Sequence, residues 1–280
     1  MSTCHILTRA CGGSLVVLSG MEEERGEKEE KREHAKRGEI TSFSPRSRRR
    51  MMNSLAIINR DKAGLPSFLT PTYADELLPI EEKTVKRHLM ALNKALERRF
   101  GKRPVMWRRE HKARKSGTHT GKVMPHLHLL LWGVEPTDED REWFAQTWCR
   151  LTGSTGQPWE GKHYAVTRHN RTWIMPESWR GTLAYVSKYL AKTEDGQVEG
   201  RTWGWWNRGL LPVNLLSEEI PQDAFHAVRR VLRRYIERHA KRKVRIRSKG
   251  SGLTCYLSEH TGKQLVAWAW NIGWSTESIN

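Results

Sequence analysis

Cysteine is scarce in this sequence, and its positions exclude some classes of small protein. The four cysteines, Cys4, Cys11, Cys149 and Cys255, form no C-x-x-C pair and no evenly spaced disulfide framework. This argues against a zinc knuckle and fits a reducing, cytoplasmic setting. No apolar run approaches the roughly 18 residues needed to cross a bilayer, and the stretch 14–18 is poorly flanked for a signal peptide. We therefore expect no membrane partner.

A nucleotide-binding loop is also missing. Residues 156–163 have the outline G-x-x-x-x-G-K, but His163 stands where a phosphate loop needs Ser or Thr. Pro158 and Trp159 lie inside the same stretch. We therefore expect neither a nucleotide cofactor nor a fused helicase domain.

Basic residues strongly outnumber acidic ones, and the formal net charge is +18. Such a balance favours a polyanionic partner, of which nucleic acid is the commonest. The alternative is a basic protein whose charges are merely solvated. The thirteen tryptophans should lie mostly in a core, because large aromatic side chains bury much area. A few of them could stack on unpaired bases.

Composition divides the chain into three predicted segments. Residues 1–61 form a charged N-terminal extension that we expect to be disordered, because residues 21–50 hold few large apolar side chains to offset chain entropy. Residues 62–215 interleave helix and strand patterns, and residues 216–280 form a basic helical extension. This order predicts an α+β fold in which helices flank an antiparallel central sheet.

Hydrophobic periodicity locates the elements of the middle segment. It predicts helices at 81–100, 138–151, with Thr137 as N-cap, and 176–192. Strands are predicted at 67–73, 104–109, 124–132 and 163–167. Pro71 makes the first of these strands either an edge strand or an interrupted one.

Two histidines mark the predicted strand 124–132. Residues i and i+2 of a strand point to the same face, so His126 and His128 project together. Leu127, Leu129 and Leu131 face the other side. Two adjacent imidazoles provide half of a metal site, because buried ring nitrogens need partners. The alternative is two half-exposed histidines on a strand.

Glu110 is the candidate for a third ligand, because it ends the preceding strand one hairpin away. Antiparallel pairing can bring it opposite the histidines, whereas His111 points the other way on a regular strand. Two histidines and a glutamate suit Mg²⁺ or Mn²⁺, with water and phosphate oxygens as further ligands. The alternative for Glu110 is an exposed charge beside Arg108 and Arg109.

The predicted helix 176–192 carries two Tyr-x-x-Lys units, Tyr185 to Lys188 and Tyr189 to Lys192. At helical spacing the tyrosines share one face and the lysines form a neighbouring stripe. A phenol can attack phosphorus, and a metal or a lysine can neutralise the charge that develops. The alternative is two amphipathic tyrosines packed on a helix with their hydroxyls in water.

Together these segments resemble the HUH endonucleases, specifically the replication initiators of rolling-circle plasmids and small single-stranded DNA phages. Residues 68–73 look like the family's first motif, F-L-T-L-T-Y, with Pro71 in place of leucine. Residues 126–128 are similar to its histidine–hydrophobic–histidine motif, and residues 185–192 to the Y-x-x-K-Y-x-x-K motif of the two-tyrosine branch. The motifs occur in the family's order, and the resemblance spans roughly residues 65–215.

The resemblance implies a ferredoxin-type sandwich with the histidines on a central strand. It implies that His126, His128 and Glu110 bind Mg²⁺ or Mn²⁺, and that Tyr189 cuts single-stranded DNA at a replication origin. Tyr185 would serve the second strand transfer of a rolling-circle round, and the 5′-phosphotyrosine would later be religated. A separate helicase in the cytoplasm of a bacterial host would unwind the duplex.

The predicted basic helix from 222 to about 243 offers phosphate contacts without sequence choice. Its candidate core residues are Phe225, Val228, Leu232, Tyr235 and Ile236. Its candidate DNA-binding residues are Arg229, Arg230, Arg233, Arg234 and Arg238. The alternative is a surface helix that only improves solubility.

Other functions stay open on the sequence alone. A two-tyrosine transposase shares the chemistry, although a longer chain with a zinc-binding segment is expected there. A mobilisation relaxase usually places its tyrosine before the histidines, and this chain places it after them. A non-catalytic nucleic-acid-binding protein would use the basic helix and the tryptophans, and it predicts that Tyr189→Phe leaves every activity intact.

Overall fold

The structure is a computed structural model. It describes residues 4–9, 14–18, 43–74, 77, 79–113, 120–121, 123–154, 172–179, 182, 186, 200–213, 216–220, 222–240, 243, 253–257, 264, 267–268 and 271. In this part of the chain no helix is long and apolar enough to cross a membrane.

Nine strands and five helices make up the named elements of these residues. The strands are β1 Cys4–Arg9, β2 Ser14–Leu18, β3 Pro66–Leu69, β4 Val105–Ala113, β5 Val123–Trp132, β6 Trp173–Ile174, β7 Trp203–Trp206, β8 Leu216–Ile220 and β9 Leu253–Leu257. The helices are α1 Pro45–Ala56, α2 Arg60–Ala63, α3 Glu82–Phe100, α4 Asp138–Thr152 and α5 Gln222–Ala240. A short 3₁₀ turn, Arg208–Leu210, follows β7.

The chain divides into two compact units. One unit consists of residues 37–52 and 62–211, and the other of residues 1–36, 53–61 and 212–280. The predicted segment boundaries at residues 61 and 215 stay predictions.

The first unit contains a five-stranded sheet in the order β6-β3-β5-β4-β7, and every pair in it is antiparallel. This confirms the predicted α+β class with an antiparallel central sheet. The longest strand, β5, lies in the middle, between β3 and β4. The histidine strand is therefore central, and both of its edges are hydrogen-bonded.

Pro71 interrupts the first strand of this sheet. The regular pairing of β3 with β5 stops at Leu69, and only an isolated bridge between Thr72 and His126 continues it. Since proline has no N–H to donate, a break at this point is expected. β3 also pairs with β6 on its other side, so it is an interrupted strand and not an edge strand.

One face of the sheet packs on α3 and α4 and forms the core. Leu127, Leu129 and Leu131 of β5 are at most 1% exposed, as their alternation predicts. The residues that meet them at helical spacing are Val85, Leu89, Leu92 and Leu96 of α3 and Phe144 and Trp148 of α4. Each such buried side chain contributes about 1.5–3 kcal/mol of transfer free energy. This face therefore supplies much of the unit's stability.

The two core helices begin and end close to the predicted residues. Thr137 caps α4: its hydroxyl accepts a hydrogen bond from the Asp140 amide at 3.1 Å, and the Asp140 carboxylate accepts one from the Thr137 amide. This reciprocal capping box confirms Thr137 as the N-cap. After α3, Gly101 adopts a φ of 73°, a conformation that glycine tolerates better than other residues.

The second unit contains a four-stranded antiparallel sheet in the order β8-β1-β2-β9. It also contains α5, which buries Ala224, Phe225, Val228 and Leu232 on one side. Tyr235 and Ile236, which we predicted to face a core, are only partly buried. The apolar stripe of this helix thus covers its first three turns.

The predicted disorder of residues 1–61 differs from the structure at several places. β1 and β2 pair with each other and with β8 and β9, which are partners from the other end of the chain. Residues 45–56 form α1, with Met51 fully buried and Leu55 8% exposed. These two apolar residues are one helical turn apart, and the density of charge around them hid that spacing.

Candidate functional site

The candidate site lies on the sheet face opposite the core. Because side chains alternate along β5, His126 and His128 point away from α3 and α4. His128 is 5% exposed, and His126 is partly buried. The two histidines are therefore on one face of the central strand, as predicted.

Glu110 of β4 lies on the same face. In the β4–β5 pairing Glu110 is directly opposite His126, and Arg108 is directly opposite His128. Residues opposite each other in an antiparallel pair share a face and lie close together. The Glu110 Oε2 atom is 3.3 Å from the His128 Nε2 atom, and the Glu110 side chain is also buried. The register that the sequence left open thus brings Glu110 to both histidines.

The donor chemistry of these residues fits a divalent cation. Two imidazole nitrogens and a carboxylate suit Mg²⁺ or Mn²⁺ when water or phosphate oxygens complete the coordination. Among the described residues, no three His, Cys, Asp or Glu side chains already converge as a metal-holding group. What the structure assembles is the His128–Glu110 contact with His126 next to it in register.

Arg108 is a neighbour that the sequence reasoning did not assign to the site. Its guanidinium is fully buried, lies 4.0 Å from the Phe43 ring, and donates to the Thr202 carbonyl oxygen at 3.3 Å. Nearby, the Trp203 indole donates to the Ser47 hydroxyl at 2.8 Å. The i, i+2 spacing of Arg108 and Glu110 was the available signal, because it places both on one face.

The opposite face of β4 carries an ion cluster. Arg109 and His111 both bind Glu82, the first residue of α3. Burial alone would raise the pKa of Glu82, but the hydrogen bond with His111 and the charge of Arg109 lower the pKa on balance. His111 therefore points away from the candidate site, as a regular strand predicts.

Tyr73 ends the first motif and lies on the core side as well. It is 4% exposed, its ring centroid lies 5.2 Å from that of Trp148, and its hydroxyl is 3.3 Å from His88 Nδ1. Burial raises the pKa of Tyr73, only partly offset by the charge of Arg109. A protonated, enclosed phenol of this kind is a structural group and a poor nucleophile.

The predicted tyrosine helix falls largely outside the described residues. Tyr185, Tyr189, Lys188 and Lys192 are not among them, and their catalytic roles stay predictions. The same is true of the predicted strand 163–167. Val186 is described, and it is 1% exposed, which agrees with the buried side predicted for this helix.

The basic helix belongs to the other unit, where α5 divides its residues as predicted. Arg230, Arg233, Arg234 and Arg238 are exposed, and Arg229 is partly buried with its guanidinium 5.2 Å from the Phe225 ring. Arg233 also pairs with Glu237 at 3.1 Å. The exposed arginines could meet phosphates, and this DNA-binding role stays a prediction.

Comparison with protein families addresses the segment that holds the sheet. Residues 66–194 match a family model described as replication-associated protein, of the ORF2 type. This segment belongs to a replication-associated protein family. The replication-associated segment includes the motif at residues 68–73, the candidate ligands on β4 and β5, and both predicted tyrosines. No curated protein and no solved structure matches the chain.

The family match confirms the resemblance to replication initiators at the level of the family. It supports a role in starting DNA replication and DNA as the partner. It does not distinguish a one-tyrosine from a two-tyrosine mechanism.

Proposed function

We propose that this protein starts rolling-circle DNA replication by nicking single-stranded DNA at an origin and joining its own tyrosine to the cut end. The observation that carries the proposal is the register of β4 and β5. It sets Glu110 opposite His126 and 3.3 Å from His128, inside the replication-associated segment. Two imidazoles and a carboxylate on one buried strand face are costly to maintain unless they bind something.

In the proposed reaction the Tyr189 phenol oxygen attacks the scissile phosphorus. The bond between phosphorus and the 3′ oxygen breaks, and that oxygen takes up a proton to become a free 3′ hydroxyl. The phenol loses its proton to solvent, and a 5′-phosphotyrosine ester results. Because one phosphoester replaces another, the DNA can be religated later by the reverse attack.

His126, His128 and Glu110 would hold Mg²⁺ or Mn²⁺ in this proposal. When bound, the ion polarises the scissile phosphate and offsets its growing negative charge. Lys188 and Lys192 supply further positive charge beside the tyrosines. Tyr185 performs the second strand transfer that ends a replication round.

The exposed arginines of α5 are proposed to bind the DNA backbone, and a separate helicase of the bacterial host opens the duplex. Each phosphate contact contributes about 0.7 to the salt slope for single-stranded DNA. Replacing Arg233 and Arg234 by Gln should therefore lower that slope by about one unit or more without changing which site is cut. An unchanged slope would contradict this role.

The nicking proposal is tested by trapping the covalent product. The protein is incubated with Mn²⁺ and labelled single-stranded oligonucleotides that span its own replicon, and the products are separated on a denaturing gel. We expect a DNA band shifted by the mass of the protein. EDTA should abolish the band, and so should Tyr189→Phe.

The matched control is Tyr185→Phe, which should keep the first cut. If the adduct survives Tyr189→Phe and disappears in Tyr185→Phe, the chemistry stands and the nucleophile assignment is wrong. If no origin-spanning strand forms an adduct, the protein binds DNA without cutting it.

A further inference from the structure

Glu82 occupies an unusual position relative to the candidate site. It is the first residue of α3, on the core side of the sheet, so it cannot itself touch a substrate on the histidine face. Its carboxylate binds the two residues that flank Glu110 in β4. Arg109 Nη1 contacts its Oε2 atom, and His111 Nε2 contacts its Oε1 atom.

Both contacts are well shielded from water. The Arg109 and His111 side chains are 1% and 7% exposed, and that of Glu82 is 22% exposed. Charge-assisted hydrogen bonds in such surroundings are stronger and more directional than those at a surface. With one partner on each oxygen, the carboxylate fixes the rotation of both partners as well as their distance.

The consequence for Glu110 follows from strand geometry. Residues 109 and 111 point to one face, and residue 110 points to the other, toward His126 and His128. Anchoring both neighbours to a rigid helix fixes the backbone from which the Glu110 side chain projects. The anchor also lies close to Ala113, the last residue of β4, where the regular pairing with β5 ends.

We propose that Glu82 is a positioning residue that holds Glu110 in reach of the two histidines and thereby raises the affinity of the site for a divalent cation. This rests on the proposed function, because it assigns the cation to His126, His128 and Glu110. Groups that orient metal ligands from behind typically change metal affinity about 10–100-fold when they are removed.

The test measures Mn²⁺ binding to the full-length protein by electron paramagnetic resonance titration, at a temperature where each variant is folded. Glu82→Gln keeps the size of the side chain and removes its charge. Because this leaves Arg109 buried without its carboxylate, a second variant combines Glu82→Gln with Arg109→Met. Replacing both partners of a buried pair by neutral groups is often tolerated.

Glu139→Gln is the matched control. Glu139 also lies in the first turn of a core helix and also pairs with an arginine, Arg99, at 2.9 Å, but it does not contact β4. We expect the Glu82 variants to bind Mn²⁺ about tenfold more weakly or worse, and the control to bind as the unmodified protein does. Backbone hydrogen exchange at residues 109–111 should be faster in the Glu82 variants without any metal.

Two results would overturn the proposal in distinguishable ways. If unmodified protein binds Mn²⁺ in a manner that depends on Glu110, but folded Glu82 variants bind it within twofold of that affinity, Glu82 has only a structural role. If Glu110→Ala leaves Mn²⁺ binding unchanged, the proposed metal centre itself fails, and the role of Glu82 fails with it. A lower unfolding temperature alone supports neither reading, so affinity decides.

Discussion

The two faces of the five-stranded sheet come from the same strands and contrast in chemistry. The face toward α3 and α4 holds leucines and large aromatics with almost no exposure. The opposite face of β4 and β5 holds Arg108, Glu110, His126 and His128. Neighbouring residues in one strand therefore serve different purposes, and His128 and Leu129 are the sharpest pair for separating them.

The largest expected effect is on the histidine face. His128→Gln should lower nicking about 100-fold or more, because a metal's contribution to stabilising a phosphoryl transition state is several kcal/mol. Its thermal unfolding temperature should change little, since the amide of glutamine can still hydrogen-bond Glu110. The measurement is the initial rate of adduct formation at saturating Mn²⁺, alongside a thermal melt. A rate within threefold of the unmodified protein would mean that His128 binds no metal.

The next effect is on the core face, one residue further along. Leu129 is fully buried, so Leu129→Ala should reduce the free energy of unfolding by about 2–5 kcal/mol through lost burial and a cavity. Nicking per folded molecule should stay within a few-fold at low temperature. Urea denaturation measures the first quantity, and an adduct assay below the melting range measures the second. A large catalytic loss in fully folded protein would show that the two faces are coupled.

A smaller effect should follow from Thr137→Ala at the start of α4. This change removes the capping box with Asp140 and should destabilise the protein by about 1 kcal/mol. The helix packs only on the core face, so the nicking rate should not change. Thr137→Ser, which keeps a capping hydroxyl, is the control and should recover most of the loss. Equal destabilisation by both variants would show that the cap hydroxyl is not the cause.

The smallest effect concerns pH. Burial, and secondarily the charge of Arg87, lower the pKa of His88 below its ordinary 6.5. As the pH falls through 6.5, the unfolded chain gains a proton at His88 that the folded protein does not, so stability falls toward acid until the lowered pKa is passed. His88→Gln removes this dependence and should flatten unfolding temperature against pH between about 7 and 5. Parallel curves for the two proteins would contradict it.

Much of the histidine face could be predicted from the sequence, because strand alternation is a local property. His126, His128 and the three leucines between and beyond them fall on their faces by spacing alone. Glu110 was harder, because its position depends on the register across a long hairpin. The structure gives that register, and it pairs Glu110 with His126.

Contacts between distant segments were beyond local patterns. Glu82 binds residues 27 or more positions away, and nothing in its own neighbourhood marks it out from other helix-starting glutamates. The burial of Arg108 under Phe43 likewise joins a segment that its charge content suggested was disordered. Such contacts depend on which elements the fold brings together, and single-sequence periodicity carries no information on that.

The four-stranded sheet β8-β1-β2-β9 has a consequence for synthesis on the ribosome. β1 and β2 emerge first and can pair only with each other, because their outer partners begin at Leu216 and Leu253. At about 5–20 residues per second, the wait is on the order of tens of seconds. During that time two exposed strand edges are open to neighbouring nascent chains. Chaperone occupancy of this hairpin, or slowing by crowded polysomes, would therefore govern the yield of native protein more than any interaction around the histidines.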